Sequence, residues 1–437
     1  MTTAAGGKHS RENPTPRPIQ PAPRAPAVQQ RPKRRLCDGN EKVAVRFRFG
    51  SDSQAVGTAV ACHMFTLSAR AGGVVPEWKM GLPHAWLQGD SPCYTCGMTR
   101  DSALRALPKV ELHRHLDGSV RVETIWEIAT EAGLDIGART LKDLRQMAVI
   151  REPVRDLAEA LARFETQRKV LRSFEAISRV TRENIEDAFH DGVRLLELRF
   201  APAFIAEGRD LSNDEIIGGV LDGLLAGMKA FPVEVGLICI LPRGFPVSVN
   251  ERALNDTLRW KGGGSPGADR ICGLDLAAAE AGIDPVPYVR LVNQAREAGL
   301  GITIHSGEDT DAAHVARTLD LFRPSRIGHG IKAWGSSQVM ARLAAEDVLL
   351  EVCLTSNWLT SAVPTLAEHP LPGLYKAGVP VSINSDDPNL MGIDLVNEYE
   401  ACALHYGFQE KDFQTINRAA WQHSFLPKNV RERIALT

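Results

Sequence analysis

Two histidines stand one residue apart in the stretch VELHRHLDGS, as His113 and His115. Side chains at positions i and i+2 of a β-strand point to the same face, so two such imidazoles can bind one metal ion. The pattern His-x-His also occurs by chance, and a pair on an exposed strand is usually solvated. A metal site is therefore predicted only if further ligand residues reach the same place in the fold.

Further side chains suited to metal binding and acid–base catalysis occur in three later stretches. His305 and Glu308 lie in IHSGED, His329 lies in GHG, and Asp386 and Asp387 lie in NSDDP. Imidazole nitrogens and carboxylate oxygens are ligands that Zn²⁺ accepts. Two adjacent carboxylates in a closed pocket repel each other unless a cation neutralises them. The pair of aspartates therefore favours a bound metal.

Eight apolar runs after residue 105 are typical of parallel strands buried on both faces. They read KVELHRH, VRLLELRF, EVGLICIL, RICGLDL, LGITIHS, SRIGHG, VLLEVCL and VPVSINS. Helical patterns such as DPVPYVRLVNQAREAG and SSQVMARLAAED lie between them. This alternation predicts an α/β fold, a (β/α)₈ TIM-type barrel with insertions. An open doubly wound sheet is the main alternative, but no Gly-rich phosphate loop follows the first run.

A barrel of this kind collects its functional side chains at the carboxyl ends of its strands. The histidines and acids described above stand at the ends of the first, fifth, sixth and eighth predicted strands. Taken singly, Glu308 could be a surface acid and His329 a core histidine bonded to backbone. Their shared position at strand ends favours one site instead.

The composition changes near residue 105. The earlier part contains NPTPRPIQPAPRAPAVQQRPKRR, which is rich in Pro and Arg and poor in the aliphatic residues that offset ordering entropy. We therefore expect residues 1–104 to form a largely disordered or poorly structured extension. Residues 105–437 are expected to form the barrel domain.

The overall composition excludes several classes of protein. A formal net charge of −2 provides no basic field for nucleic acid, and no apolar run is long enough to predict a membrane span. The N-terminus lacks a signal-peptide pattern, and the eight cysteines are scattered as expected of reduced thiols. These features predict a cytoplasmic protein. The sequence contains no indication of oligomeric state.

Six motifs in fixed order resemble those of the adenosine deaminase family within the amidohydrolase superfamily. They are VELHRHLDGS, GLDLAAAE, HSGED, RIGHGI, EVCLTSN and SINSDDP. The resemblance runs from about Leu107 to NRAAWQHSFLP, about three quarters of the chain. It implies a hydrolase that removes ammonia from a purine nucleoside, with one Zn²⁺ per chain as cofactor.

The resemblance also implies a role for each matching residue. The implied zinc ligands are His113, His115, His305 and Asp386. The implied catalytic residues are Glu308 and His329 as acid–base groups, and Asp387 beside the nucleophilic water. The implied substrate contacts are His115, Asp117 at the ribose, Ala278 and Asp387.

One departure from the family pattern concerns substrate recognition. The family usually reads Asp-Leu-Ala-Gly-Asp-Glu after the fourth strand, whereas this chain reads DLAAAE, with Ala278 at the glycine position. The added methyl lies where the backbone is expected to approach the purine. Adenosine or 2′-deoxyadenosine is the leading substrate; a modified adenine nucleoside such as aminodeoxyfutalosine, or free adenine, is the alternative. A catalytically inactive barrel acting as a binding protein is disfavoured because every implied ligand and Glu308 are present.

Overall fold

A computed structural model describes residues 100–434. The prediction for the N-terminal extension therefore lies outside the described residues, except for its last few positions. These begin the first described helix, α1 (Arg100–Ala106), which spans the predicted boundary near residue 105. Within residues 100–434, no helix combines the length and apolar character needed to cross a membrane.

The eight predicted strands are present and form one parallel sheet in sequence order. Their bounds are β1 (Lys109–His115), β2 (Val193–Phe200), β3 (Glu234–Pro242), β4 (Ile271–Ala277), β5 (Gly301–Ser306), β6 (Arg326–His329), β7 (Leu349–Val352) and β8 (Val381–Ile383). Every strand pairs with the next along the chain, as successive right-handed β–α–β units require. The predicted TIM-type barrel is confirmed.

Backbone hydrogen bonds at the carboxyl ends close the sheet between β8 and β1. The Asp386 amide donates to the His113 carbonyl at 3.0 Å, and the His115 amide donates to the Asp386 carbonyl at 2.8 Å. The Leu112 amide donates to the Asn384 side-chain oxygen at 2.9 Å. The backbone that joins the first and last strands thus also carries three of the predicted metal ligands.

Helices surround the barrel, and four of them, α2 to α5, form the long connection between β1 and β2. The remaining α-helices within residues 100–434 are α2 (Val122–Glu131), α3 (Leu141–Ala148), α4 (Leu157–Arg168), α5 (Phe174–His190), α6 (Pro202–Ala206), α7 (Asn213–Ala230), α8 (Val247–Gly262), α9 (Val289–Glu297), α10 (Ala312–Phe322), α11 (Ser337–Ala345), α12 (Leu354–Leu359), α13 (Leu371–Lys376), α14 (Pro388–Met391), α15 (Leu395–Tyr406), α16 (Glu410–His423) and α17 (Lys428–Arg431). Short 3₁₀ helices occupy Ala268–Arg270, Val286–Tyr288, Ile331–Gly335 and Leu366–Glu368.

The side chains of each strand divide between two environments. Aliphatic residues such as Leu196, Leu274 and Leu350 pack outward against the helices in the main apolar core. The barrel interior instead contains a buried network of charged side chains, which includes Arg199, Asp275, Glu197, Arg326 and Glu351. At the amino end of the barrel the Arg326 guanidinium lies 3.6 Å from the centre of the Phe425 ring. The ionic interior reaches the carboxyl end, where the predicted site residues lie.

Candidate active site

The four predicted metal ligands converge at the carboxyl end of the barrel. The Nε2 atoms of His113 and His115 are 3.1 Å apart, and each lies 3.2 Å from Asp386 Oδ1. The ring of His305 lies 4.6 Å from that of His113, centre to centre. Ligand atoms at the usual bond lengths from a tetrahedral Zn²⁺ lie about 3.3 Å from one another. The observed separations therefore fit a shared divalent cation.

Buried carboxylates orient two of these imidazoles by contacting their Nδ1 atoms. His113 Nδ1 lies 2.8 Å from Glu351 Oε2, and His305 Nδ1 lies 3.0 Å from Asp275 Oδ2. Arg199 joins the two acids, at 2.6 Å from Asp275 and 2.8 Å from Glu351. An imidazole that donates its Nδ1 hydrogen to a carboxylate presents the Nε2 lone pair that a metal requires. These two rings are therefore held in the ligand tautomer.

The protonation states of the acids and bases around this centre suit metal binding. Burial opposes ionisation of Asp386, but His113, His115 and His329 together outweigh it and hold the pKa of that carboxyl well below its usual range. Burial likewise opposes ionisation of Glu351, and the nearby Arg199 lowers its pKa well below normal. Burial lowers the pKa of His305 to about 3, so this imidazole is neutral.

Cys353 is an additional candidate ligand that the sequence did not single out. Within residues 100–434, one group of potential ligand atoms within 4.8 Å of one another comes from His113, Cys353 and Asp386, and another from His113, His305 and His329. Burial raises the pKa of the Cys353 thiol well above its usual value, and its sulfur lies 3.6 Å from the Glu351 carbonyl. A protonated thiol is a poor ligand, which favours the histidines and Asp386.

The three predicted catalytic side chains lie beside the candidate metal centre. His329 Nε2 is 3.5 Å from Glu308 Oε2 and 3.8 Å from Asp386 Oδ2. Burial, with the nearby charge of Asp386, raises the pKa of Glu308 well above its usual value, which favours the protonated acid. Burial and Asp386 also raise the pKa of Asp387. Among the described residues, Asp387 Oδ1 has no hydrogen-bond partner.

Glu280, which sequence reasoning missed, holds the loop that carries Glu308. Its carboxylate accepts hydrogen bonds from the Gly307 amide at 2.7 Å, the Glu308 amide at 3.1 Å and the Thr310 hydroxyl at 2.5 Å. Thr360 donates to the Glu308 carboxyl at 3.2 Å. The only sequence signal for Glu280 is its place at the end of the DLAAAE motif.

A pocket of about 690 Å³ opens in front of these residues. Its polar end contains His115, Asp117, Glu308, His329, Asp386 and Asp387. Its apolar wall consists mainly of Leu157, Ala160, Leu161 and Phe164 of α4, with Phe204 and Met391. Asp117 is buried, and its Oδ1 atom has no hydrogen-bond partner within the described part of the protein. The pocket therefore combines an apolar wall with acceptors left for a ligand.

Three non-glycine residues of this site have left-handed backbone conformations. The φ angles are 66° at Ala278, 57° at His329 and 61° at Asp386. Such residues cost roughly 1–3 kcal/mol each and cluster at functional sites, where the surrounding structure maintains them. Glycine adopts this conformation without steric strain, so Ala278 is strained where a glycine would not be.

Ala278→Gly is expected to stabilise the fold slightly. Removing the methyl relieves about 1–2 kcal/mol of left-handed strain, while glycine loses about 0.5–1 kcal/mol through greater freedom in the unfolded chain. The net gain is up to about 1.5 kcal/mol, which urea unfolding would detect. Ala277→Gly, at the end of β4, is the matched control and should only destabilise. An equal loss of stability in both variants would contradict the strain assignment.

Comparison with known proteins identifies the family. The family model described as adenosine deaminase matches residues 108–436. The adenosine deaminase of Erwinia tasmaniensis is 36% identical over 333 residues, which cover 75% of this chain and 98% of that protein. The adenosine deaminase of Klebsiella pneumoniae is 35% identical over 331 residues, covering 76% of this chain and 97% of that protein.

Solved structures agree with these sequence matches. The adenine deaminase of Arthrobacter aurescens has a TM-score of 0.69 at 29% identity, covering 75% of this chain and 96% of that one. The Arabidopsis N6-mAMP deaminase has a TM-score of 0.66 at 26% identity, covering 76% of this chain and 97% of that one. The resemblance inferred from the six motifs is confirmed: the chain belongs to the adenosine deaminase family and is a hydrolytic deaminase of adenine compounds.

Proposed function

We propose that this enzyme uses one Zn²⁺ per chain to deaminate adenosine or 2′-deoxyadenosine to inosine or 2′-deoxyinosine and ammonia. The observation that carries the proposal is the pocket, where three histidines and one aspartate suited to hold a cation adjoin the buried Glu308 and Asp117, whose Oδ1 atom has no partner among the described residues. His113, His115, His305 and Asp386 are the ligands. When bound, zinc would lower the pKa of a water molecule so that hydroxide forms at neutral pH.

Acidic and basic side chains of the protein protonate the substrate and orient the nucleophile. Nucleophilic attack at C6 of a purine moves electron density onto N1, which then needs a proton. Burial raises the pKa of Glu308, which favours the protonated form that can deliver this proton as the general acid. His329 and Asp387 lie on the metal side of the pocket, where they orient the nucleophile toward one face of the base.

Asp117 supports a sugar-bearing substrate. Its carboxyl group lines the pocket, is buried, and has an acceptor oxygen without a partner among the described residues. A buried acceptor of this kind is costly unless a ligand donates to it. A ribose hydroxyl is a suitable donor, whereas free adenine has no group at this position. His115 and the Ala278 backbone complete the proposed contacts.

The charge of the pocket supports a nucleoside rather than a nucleotide. None of the described residues that line it is Lys or Arg. Arg168, at the end of α4, is engaged by Glu165 at 2.7 Å and by Glu207 at 2.5 Å. A 5′-phosphate would therefore meet the acids of the pocket without a free cation to balance it.

A second candidate is a modified adenine nucleoside such as aminodeoxyfutalosine, or free adenine. Two observations favour it: Ala278 lines the pocket at the position where the resemblance implies glycine, and a structural neighbour is named as an adenine deaminase. The apolar wall on α4 would also accept a larger substituent than a ribose hydroxymethyl group. The buried Asp117 oxygen without a partner among the described residues suits a ribose hydroxyl, which favours the simple nucleoside over adenine.

Asp117→Asn tests the substrate class. A hydrogen bond to a charged acceptor contributes about 1.5–3 kcal/mol, so kcat/KM for adenosine should fall about tenfold or more. Discrimination against adenosine 5′-monophosphate should weaken, because the repelling charge is gone. Steady-state rates on adenosine, adenine and the monophosphate provide the comparison, with Asp320→Asn on the surface as control. If adenosine and adenine lose rate equally, Asp117 does not contact a sugar.

We also propose that residues 1–104 are an extension separate from the catalytic domain, residues 105–437, and that the enzyme works in the cytoplasm. Every proposed site residue follows residue 105. The described cysteines, Cys239, Cys272, Cys353 and Cys402, are free and buried, which is typical of a reducing compartment. The proposed partner is a small purine nucleoside, with neither nucleic acid nor membrane involved.

A further inference from the structure

A chain of hydrogen bonds leads from His329 away from the pocket. His329 Nδ1 lies 3.0 Å from Asn357 Nδ2, and Asn357 Oδ1 lies 3.1 Å from His369 Nε2. The Leu371 amide then donates to His369 Nδ1 at 3.0 Å. All three side chains are buried. Neither Asn357 nor His369 has a place in the chemistry proposed above.

The Leu371 amide determines where every proton in this chain lies. A backbone N–H can only donate, so His369 Nδ1 must be an acceptor without a hydrogen. The neutral ring then carries its hydrogen on Nε2 and donates it to Asn357 Oδ1. This contact fixes the orientation of the Asn357 amide. If the amide were reversed, its NH₂ group would face the Nε2 hydrogen of His369, unless the His369 ring carried no hydrogen at all.

The orientation of the Asn357 amide determines the tautomer of His329. With its oxygen facing His369, Asn357 turns its NH₂ group toward His329 Nδ1, which must accept. His329 therefore carries its hydrogen on Nε2, the nitrogen that faces Glu308 and Asp386. Accepting a further proton would place a hydrogen on Nδ1 against the amide NH₂.

We propose that Asn357 and His369 are positioning residues that hold His329 as the Nε2–H tautomer, so that His329 donates a hydrogen bond to the nucleophile. In this arrangement His329 neither accepts a proton from the nucleophile nor ligates the metal. The catalytic consequence rests on the proposed deamination, whereas the tautomer itself does not.

The contrast with the proposed ligand histidines supports this assignment. His113 and His305 direct Nδ1 at the carboxylates of Glu351 and Asp275, which can only accept when ionised. Their Nε2 atoms therefore keep a lone pair for the metal. His329 directs Nδ1 at an amide hydrogen and keeps a hydrogen on Nε2. His113 and His305 therefore have an acceptor at Nδ1 and are suited to bind the metal through Nε2. His329 has a donor at Nδ1 and is suited to donate from Nε2.

Nitrogen NMR of the zinc-loaded protein with ¹⁵N-labelled histidine tests the tautomer directly. The signal of His329 is identified by its loss in His329→Gln. We expect Nδ1 to have the shift of an unprotonated ring nitrogen and Nε2 that of a protonated one. A hydrogen on Nδ1, or on both nitrogens at neutral pH, would overturn the proposal. This measurement needs no substrate, so its result does not depend on whether the proposed function is correct.

Variants test the positioning residues. Asn357→Asp replaces the donor by an acceptor, so the His329 hydrogen should move to Nδ1 and kcat should fall about a hundredfold or more, as for other catalytic histidines in the wrong tautomer. His369→Phe should leave His329 in mixed tautomers, with kcat reduced about 10- to 100-fold and KM changed about threefold at most. His369→Gln retains a donor toward Asn357 and should restore most of the activity. An unchanged His329 signal in folded Asn357→Asp protein would contradict the role of Asn357.

Discussion

Replacing Glu308 with glutamine is expected to lower kcat by about 10² to 10⁴ while the metal stays bound. Glutamine keeps the size and the hydrogen bond from Thr360 but cannot deliver a proton to N1. The carboxyl group is not among the proposed ligands, so metal content should remain that of the unchanged enzyme. Steady-state assays of ammonia release, together with metal analysis of the same preparation, measure both quantities.

The pH dependence of the unchanged enzyme provides a second check on Glu308. Burial and nearby negative charge raise its pKa, and the reactive form is the protonated one. We therefore expect kcat to decline as pH rises through that raised pKa, rather than to increase.

Glu346→Gln, an exposed site paired with Arg342, is the matched control for Glu308→Gln and should leave kcat unchanged. Retention of more than roughly a tenth of the original kcat in Glu308→Gln is incompatible with general acid catalysis.

Replacing His305 with alanine is expected to abolish metal retention and activity together. The change removes one of four proposed ligands and, among residues 100–434, leaves the buried Asp275 side chain with Arg199 as its one partner. Metal-assisted charge stabilisation amounts to several kcal/mol, so kcat/KM should fall about a thousandfold or more. Chelator competition gives the zinc affinity, and the deaminase assay gives the rate.

His405→Ala is the control for this variant because His405 is exposed on α15. It should keep full metal content and full activity. A folded His305→Ala enzyme with one tightly bound metal per chain would remove His305 from the ligand set. Loss of activity at full occupancy would assign it to substrate contact instead.

The strands were predictable because each one is buried on both faces by barrel and helices. Continuous apolar runs such as VRLLELRF report that burial directly, and β2 occupies the same eight residues. The gathering of candidate ligands was also predictable, since parallel strands place their carboxyl ends together. His113 and Asp386 therefore meet although 272 residues separate them between β1 and the end of β8.

The residues behind the ligands could not be paired from the sequence. Glu351 lies 238 positions from His113, and the apolar pattern of β7 contains no information about which imidazole it contacts. The sequence does show that several apolar runs each contain a charged residue, such as Arg199, Asp275 and Glu351. Such residues must find buried partners, but which partner depends on register and barrel closure. The chain from Leu371 to His329 is equally non-local.

The proposed function is tested most directly by assaying purified, zinc-loaded enzyme for ammonia release against adenosine, 2′-deoxyadenosine, aminodeoxyfutalosine, adenine and adenosine 5′-monophosphate. The proposed site predicts one zinc per chain, loss of activity on zinc removal, and the highest kcat/KM on an adenine nucleoside, followed by adenine, with the monophosphate poorest. Faster turnover of adenine or the monophosphate than of every nucleoside, or full activity in metal-free enzyme, would contradict it.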